Sequence, residues 1–239
     1  MTALLAALRW DMVVQARNGF YWATFVLILI IGGLLVTIPE SVRANTEAWV
    51  PALLAVNLQI TTFFFVAGLI LLERDEGSLA ALAVSPISPG GYLAIKTITL
   101  TGLAAAETLI VVWLGFGTGG NWFVITPGIV VLGTVYTGFG AAVGSRYSSV
   151  NTLLLPASAL VTLLLLPLLP HFGMASRTPF LLHPIEPALT LIRAGYGAAG
   201  PADIAFGVVG SAVWCVVAFT CGRSGIGRLM RDTRASGGR

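Results

Sequence analysis

The chain has 239 residues, of which 56% are hydrophobic and only 10% are charged, and its mean hydropathy is +0.91. A soluble domain carries about 25% charged residues, so the composition excludes an ordinary soluble globular protein and indicates an integral membrane protein. The net charge of +3 does not indicate a nucleic-acid-binding protein, because the sequence has no folded basic domain to present its charges.

The first 19 residues precede the apolar runs and have the pattern of an amphipathic helix. Their apolar side chains recur along one helical face, which comprises Leu4, Leu5, Leu8 and Met12. The charged residues Arg9, Asp11 and Arg17 lie away from the centre of that face. Such a helix is predicted to lie at the membrane surface and to end at Asn18-Gly19. A simple extension of the first span is the alternative.

Six apolar runs follow, each about as long as the ~20 residues that a helix needs to cross the hydrocarbon. Backbone groups in lipid must bond internally, so these runs are predicted to be helices. The sequence therefore predicts an all-α membrane protein with one transmembrane domain over residues 1–239. The predicted spans are 20–38, 50–72, 98–116, 123–144, 150–170 and 204–221.

The distribution of basic residues predicts the orientation of the chain. Six spans place both termini on one side, and ten of the 13 lysines and arginines fall on that side, against three on the other. Cytoplasmic loops of membrane proteins carry the excess of basic residues. Both termini are therefore predicted to be cytoplasmic, with 73–97 as a cytoplasmic segment, 171–203 as an extracellular loop and 222–239 as a basic tail that can lie on anionic lipid.

The link between the second and third spans gathers four consecutive charges at residues 73–76. A charge costs about 3 kcal/mol at the membrane centre, so one or two charges are explained as the end of the second span. The helix-prone SLAALAV that follows, and then the chain-breaking SPISPGG, are not explained in this way. Two interpretations stay open: a simple helix stop, or a short helix held outside the membrane as a surface for another protein.

The same link resembles the E-R-E-x-G-T-L … s-P … Y-L … K motif of ABC-2 type exporter permeases. ERDEGSL matches its first part, with Asp75 for the second Glu and Ser78 for Thr, and Ser85-Pro86, Tyr92-Leu93 and Lys96 match the rest. Among these permeases the chain is most similar to the actinobacterial members for fluoroquinolone export. The resemblance implies a coupling segment that docks on a separate ATPase subunit. It would comprise Glu73, Arg74, Asp75, Glu76, Gly77, Ser78 and Leu79.

The chain itself is expected to bind no nucleotide and to be no enzyme. A P-loop needs a glycine-rich loop before its lysine, and the single lysine, Lys96, has none at the required spacing. ATP and Mg²⁺ are therefore expected on ABC ATPase partners. Because the family works with twelve spans, a second permease chain, identical or related, is a further expected partner. No catalytic residue is predicted and no metal site, because two outer-loop histidines, His171 and His183, are too few ligands for zinc.

Polar and aromatic residues inside the spans form the candidate substrate path, which comprises Asn57, Gln59, Phe63, Phe64, Glu107 and Trp113. Glu107 lies in the middle of the third span, where an ionisable residue should face the protein interior. It is expected to bond to hydroxyls of a neighbouring helix, or else to sense substrate or carry a proton. The phenylalanines have a second interpretation as lipid-facing bulk, and Asn57 and Gln59 as ordinary interhelical hydrogen-bonders.

Small residues four apart form a candidate packing interface on the fourth span, comprising Gly133, Thr137, Ala141 and Ser145. Such spacing lets helices approach closely, either within the chain or between two chains. In the outer loop, Pro184–Ala198 is predicted to contain a short helix with turns. The resemblance implies that this region is a re-entrant hairpin, with Glu186 and Arg193 near the outer mouth. Solvated loop charges are the other interpretation.

These features predict the permease subunit of an ABC exporter in the cytoplasmic membrane. Its expected cargo is an amphipathic compound, a drug such as a fluoroquinolone, and membrane lipid surrounds it. Export of a lipid, haem or another endogenous hydrophobic compound remains an alternative, as does a non-transport assembly protein. An intramembrane serine protease is disfavoured, because both histidines map to the predicted outer loop and not to a predicted span.

Overall fold

Six helices long and apolar enough to cross a membrane occur in the part of the chain that the structure describes, residues 2–117 and 119–237. The structure is a computed structural model. The crossing helices are Phe20–Thr37, Thr46–Asp75, Pro89–Phe116, Trp122–Gly144, Val150–His171 and Pro201–Ala235, here called spans 1 to 6. The all-α membrane fold predicted from the sequence is therefore confirmed.

The complete helix order is as follows. In chain order the α-helices are α1 (Thr2–Arg17), α2 (Phe20–Thr37), α3 (Glu40–Arg43), α4 (Thr46–Leu58), α5 (Phe65–Asp75), α6 (Ser78–Val84), α7 (Pro89–Phe116), α8 (Trp122–Gly144), α9 (Val150–Leu164), α10 (Leu168–His171), α11 (Glu186–Ala194) and α12 (Pro201–Gly237). A π-helical segment, Gln59–Phe64, joins α4 to α5, and a 3₁₀ turn covers Thr178–Phe180. Both described ends of the chain lie at one end of the bundle, called the terminal end, and the opposite end is called the loop end.

The N-terminal helix α1 turns its polar side toward the protein. Asp11 and Gln15 are buried, whereas Leu5, Trp10 and Met12 are exposed. An exposed apolar face is what a helix at the membrane surface needs. Asp11 lies away from the apolar face, as expected, but it is buried against the protein, where its carboxylate accepts a hydrogen bond from the lysine of span 3.

Span 2 is interrupted at its centre by the π-helical segment, which the sequence did not indicate. The extra residue in this turn rotates the following side chains about the helix axis relative to a regular α-helix. Phe63 is fully buried there, and its carbonyl oxygen lies so close to Gly140 of α8 that an added Cβ would be 2.6 Å from it. The interpretation of Phe63 as a bulky side chain that faces lipid is therefore wrong.

The small-residue face of α8 packs inside the chain. A Cβ on Gly133 would lie 2.4 Å from the Thr101 hydroxyl of α7, and one on Gly138 would lie 2.5 Å from the Ala218 carbonyl of α12. Thr137 and Ala141 are fully buried on the same helix. Close approach without side chains between the helices explains why α8 makes the central contacts of the bundle.

The segment before span 6 dips into the bundle and returns to the loop end. His183 contacts the carbonyl of Leu163, two turns inside the end of span 5. The helix α11 then runs outward between α8 and α12, with Ile192 against Gly128 and Pro187 against Gly210. The predicted short helix within 184–198 is present as α11.

The helix α12 continues well beyond the membrane. Its 37 residues extend about 55 Å, against about 30 Å of hydrocarbon. Ile226, Leu229 and Met230 are buried against the apolar cluster that contains Leu79. The described part of the basic tail is therefore one continuous packed helix. Its exposed arginines include Arg223, Arg228 and Arg231, and their contact with anionic lipid stays a prediction.

Candidate functional site

The link between spans 2 and 3 forms a helical hairpin at the terminal end. Gly77 has φ +72°, a left-handed conformation that ends α5 and starts α6 at little cost only for glycine. Leu79 on α6 is buried against α12, and Ser88 caps α7 by accepting a hydrogen bond from the Gly91 backbone. The hairpin is thus fixed on both sides to long helices.

A buried charge cluster lies directly beneath this hairpin. Lys96 of α7 donates from Nζ to Asp11 of α1 and to Glu73 of α5, both at 2.5 Å. The second oxygen of Glu73 accepts the Tyr92 hydroxyl at 2.7 Å. Lys96 is 2% exposed, so the membrane-surface helix, span 2 and span 3 are joined by one interior cation.

The cluster changes the set of residues that a partner can reach. Glu73 and Leu79 are buried, although the resemblance assigned both to the docking surface. Arg74, Asp75 and Glu76 are exposed side by side next to them. Two of these three residues contact neighbouring groups. Arg74 donates to the Tyr147 carbonyl at 3.1 Å, and Glu76 lies 3.8 Å from a guanidinium nitrogen of Arg17.

A second polar cluster is buried in the middle of the membrane, beside the π-helical segment. Thr61 donates to Glu107 Oε2 at 2.6 Å, and Asn57 donates to the Thr108 hydroxyl at 2.7 Å. Glu107 is 1% exposed, and its Oε1 and the Asn57 Oδ1 have no hydrogen-bond partner among the described residues. Spans 2 and 3 are thus joined by hydrogen bonds that a hydroxyl and an amide donate. This agrees with the interpretation that Glu107 bonds to hydroxyls of a neighbouring helix.

The other path residues do not all join this cluster. Gln59 is buried near it, and Phe64 packs against Phe63 with ring centroids 5.4 Å apart. Trp113 is 63% exposed on the outer surface of span 3 and is separate from Glu107. Trp113 was included in the path as an aromatic residue of a span, and residue type alone does not determine the face of the helix on which a residue lies.

A third cluster, made of charged side chains, lies at the loop end. Solvated charges were one of the two interpretations of this region from the sequence. Glu186 is fully buried and accepts hydrogen bonds from Arg177 at 2.6 Å and Arg193 at 2.5 Å. Arg177 also reaches Asp203 at the start of α12, at 2.8 Å. Partial burial lowers the pKa of Arg177, but hydrogen bonds and charges of Asp203 and Glu186 outweigh it and leave this pKa raised. The solvated interpretation was wrong for Glu186.

The described residues contain no group of three or more histidine, cysteine or carboxylate side chains that could hold a metal ion. The functional features are three buried polar clusters, around Lys96, Glu107 and Glu186, an exposed charged hairpin at the terminal end and a segment that dips into the bundle at the loop end. These features and the six spans define an all-α membrane protein, and the family match that follows makes it a permease, a transport subunit.

The chain belongs to the Fluoroquinolones export permease protein family, which it matches over residues 2–231. It is similar to two proteins named Fluoroquinolones export permease protein, one from Mycobacterium tuberculosis strain CDC 1551 / Oshkosh and one from strain ATCC 25618 / H37Rv. Each is 30% identical over 200 residues, which cover 82% of this chain and 82% of the relative. The resemblance to fluoroquinolone export permeases, stated from the sequence, is therefore confirmed.

Proposed function

We propose that this protein is the permease subunit of an exporter that moves amphipathic compounds, fluoroquinolone drugs among them, out across the cytoplasmic membrane. Membership of a family named for fluoroquinolone export is the observation that carries the proposal. The nature of the interior supports it as well. Polar groups within the spans are few, and such a path cannot replace the hydration shell of an ion or a sugar.

The energy comes from separate ABC ATPase subunits, which bind ATP and Mg²⁺ and dock at the terminal end. Both termini are cytoplasmic, and the working unit has two permease chains, identical or related, and two ATPase chains. The docking surface consists of Arg74, Asp75 and Glu76, supported by the Gly77 turn and α6. Three adjacent exposed charges on a rigid hairpin suit a polar protein contact.

The buried lysine gives this surface a mechanical connection to the rest of the chain. A displacement of the hairpin moves Glu73, whose carboxylate is bonded to Lys96 and through it to Asp11. Breaking the bonds would leave charges unpaired in a buried site, which costs several kcal/mol. Spans 2 and 3 and α1 therefore move together with the docked ATPase.

The experiment compares two double charge reversals. Asp75→Lys/Glu76→Lys changes the docking surface, and Glu40→Lys/Glu47→Lys makes the same change of charge at the loop end. We expect the first variant to bind its purified ATPase about tenfold more weakly, with drug-stimulated ATP hydrolysis reduced in parallel. The control should bind the ATPase as the parent does. Equal ATPase affinity of both variants and the parent would contradict the docking surface, and absence of any drug-stimulated hydrolysis in the parent would contradict drug export.

A further inference from the structure

An apolar cavity of about 370 Å³ lies at the loop end, between α2, the start of α4 and α10. Its walls include Leu35, Leu53, Phe116 and Leu168. Arg43 of α3 is the one charged residue among its lining side chains. Drug-sized ligands bind in cavities of about 300–1,000 Å³ that are mostly apolar and have few polar groups, and this cavity has that size and character.

Aromatic rings form part of the cavity wall. Trp49 and Phe172 lie with ring centroids 5.5 Å apart and an interplanar angle of 55°. Both are partly accessible, Trp49 at 39% and Phe172 at 38%, so their faces can be covered by a ligand. Exposed aromatic faces next to an apolar wall favour a flat ring over a flexible acyl chain, because stacked rings gain energy beyond area burial.

The guanidinium of Arg43 is held in place without a counter-charge. Nε donates to the Ile38 carbonyl at 3.0 Å and Nη1 to the Gly115 carbonyl at 3.3 Å. These bonds use two of its five N–H donors. Within residues 2–117 and 119–237, no carboxylate forms a salt bridge with Arg43, although the residue is half-buried. A fixed, unpaired guanidinium with free donors favours a bound carboxylate.

We propose that this cavity binds a flat aromatic compound that carries a carboxylate. The ring system lies against Trp49, Phe116 and Phe172, and the carboxylate accepts hydrogen bonds from the free donors of Arg43. This inference rests on the proposed export function, because it assigns the cargo class to a site at the loop end of the permease. Fluoroquinolones, with one carboxylate on a fused aromatic ring, have the required chemistry and serve as the probe.

The test is equilibrium binding of a radiolabelled fluoroquinolone to the full chain in nanodiscs of neutral phosphatidylcholine. We expect Arg43→Gln to weaken binding about tenfold or more, since a charge-assisted hydrogen bond is lost. The methyl ester of the drug should bind the parent as weakly and should show no further loss with Arg43→Gln. Arg43→Lys keeps the charge but not the planar fork and should be intermediate. The control Arg228→Gln removes an exposed arginine at the terminal end and should bind as the parent does.

Equal affinity of Arg43→Gln and the parent, or of the acid and its ester, would overturn the assignment. Loss of drug binding when phosphatidylglycerol is added to the nanodiscs would show that an anionic lipid occupies the site and would overturn it as well. The result is independent of export itself. Drug export that survives Arg43→Gln with unchanged binding refutes only the cavity, whereas Arg43-dependent binding without export of any drug refutes only the proposed function.

Discussion

The buried Lys96 is the residue on which the terminal end depends most directly. It is 2% exposed and forms ion pairs with Asp11 and Glu73 from two other helices. Removing only the cation leaves two buried carboxylates unpaired, whereas removing all three charges leaves an ordinary packed site. Lys96, a residue of the family motif, therefore has a structural role as the partner of two buried carboxylates. This role is separate from any contact with another protein.

We expect Lys96→Met to destabilise the protein by about 3–5 kcal/mol. The triple variant Asp11→Asn/Glu73→Gln/Lys96→Met should recover most of that loss, because no unpaired charge remains. The measurement is the midpoint of thermal unfolding in detergent, read from the fraction that elutes as folded protein after heating. A Lys96→Met variant as stable as the parent would show that the pairs contribute little.

Glu107 supports a second prediction about single side chains. Glu107→Gln keeps an oxygen that accepts the Thr61 hydroxyl, so thermal stability and drug efflux should stay close to those of the parent. Glu107→Leu loses the bond and should cost about 0.6–1.7 kcal/mol, the range for interhelical hydrogen bonds in membranes. With Thr61→Val already present, the added cost of Glu107→Leu should shrink. A Gln variant that folds normally but exports nothing would instead assign a role to the charge.

Packing between whole helices depends on the glycines of α8. Gly138 lies against α12, where an added Cβ would be 2.5 Å from the Ala218 carbonyl oxygen, and backbone cannot yield as a flexible side chain does. We expect Gly138→Ala to cost about 1–3 kcal/mol. The matched control is Gly68→Ala in α5, which has open space around the new methyl group and should be neutral or up to about 1 kcal/mol stabilising. Equal unfolding midpoints for the two variants would contradict this packing.

The helices themselves were largely predictable, because length and hydropathy are properties of continuous segments. All six spans were predicted, together with α1 and α11, but span 3 begins at Pro89 and not at 98, and span 6 continues to Ala235 and not to 221. Both helices extend past their apolar runs, so hydropathy alone underestimates their length. The π-helical turn in span 2 was not predicted, since it depends on packing against Gly140 and leaves no composition signal. The burial of Asp11, Glu73 and Glu186 was also missed. Asp11 and Glu73 pair with Lys96 on a distant segment, so spacing along the chain does not reveal these pairs. Glu186 has its partners Arg177 and Arg193 nearby in the chain, but the burial of that cluster depends on how the loop packs.

Across the whole molecule, span 3 links the three regions that carry polar chemistry. Its Lys96 holds the hairpin at the terminal end, and Glu107 bonds to the π-helical segment in the middle. Near its loop end, the Gly115 carbonyl accepts a hydrogen bond from Arg43. One continuous helix of 28 residues therefore connects the proposed ATPase surface to the proposed drug cavity. A rigid-body shift of α7 would reach both sites without an intervening loop.

The orientation of this assembly determines on which side the ATPase docks. Of the ten basic residues assigned to the terminal side, Lys96 is buried, which leaves nine against three at the loop end. That excess still predicts a cytoplasmic terminal end. The test uses a background in which Cys215 and Cys221, both free, are replaced by alanine. Single cysteines are then introduced by Ser88→Cys at the terminal end and Ser176→Cys at the loop end, both exposed positions.

In intact cells, a membrane-impermeant maleimide should label the Ser176→Cys variant and leave the Ser88→Cys variant unlabelled until the membrane is permeabilised. The reason is that a maleimide added outside reaches only the loop end when the excess of basic residues is inside. The cysteine-free background shows the unspecific signal. Labelling of Ser88→Cys in intact cells, with Ser176→Cys protected, would reverse the orientation. The ATPase surface and the drug cavity would then exchange sides, and outward export driven from the hairpin would no longer be possible.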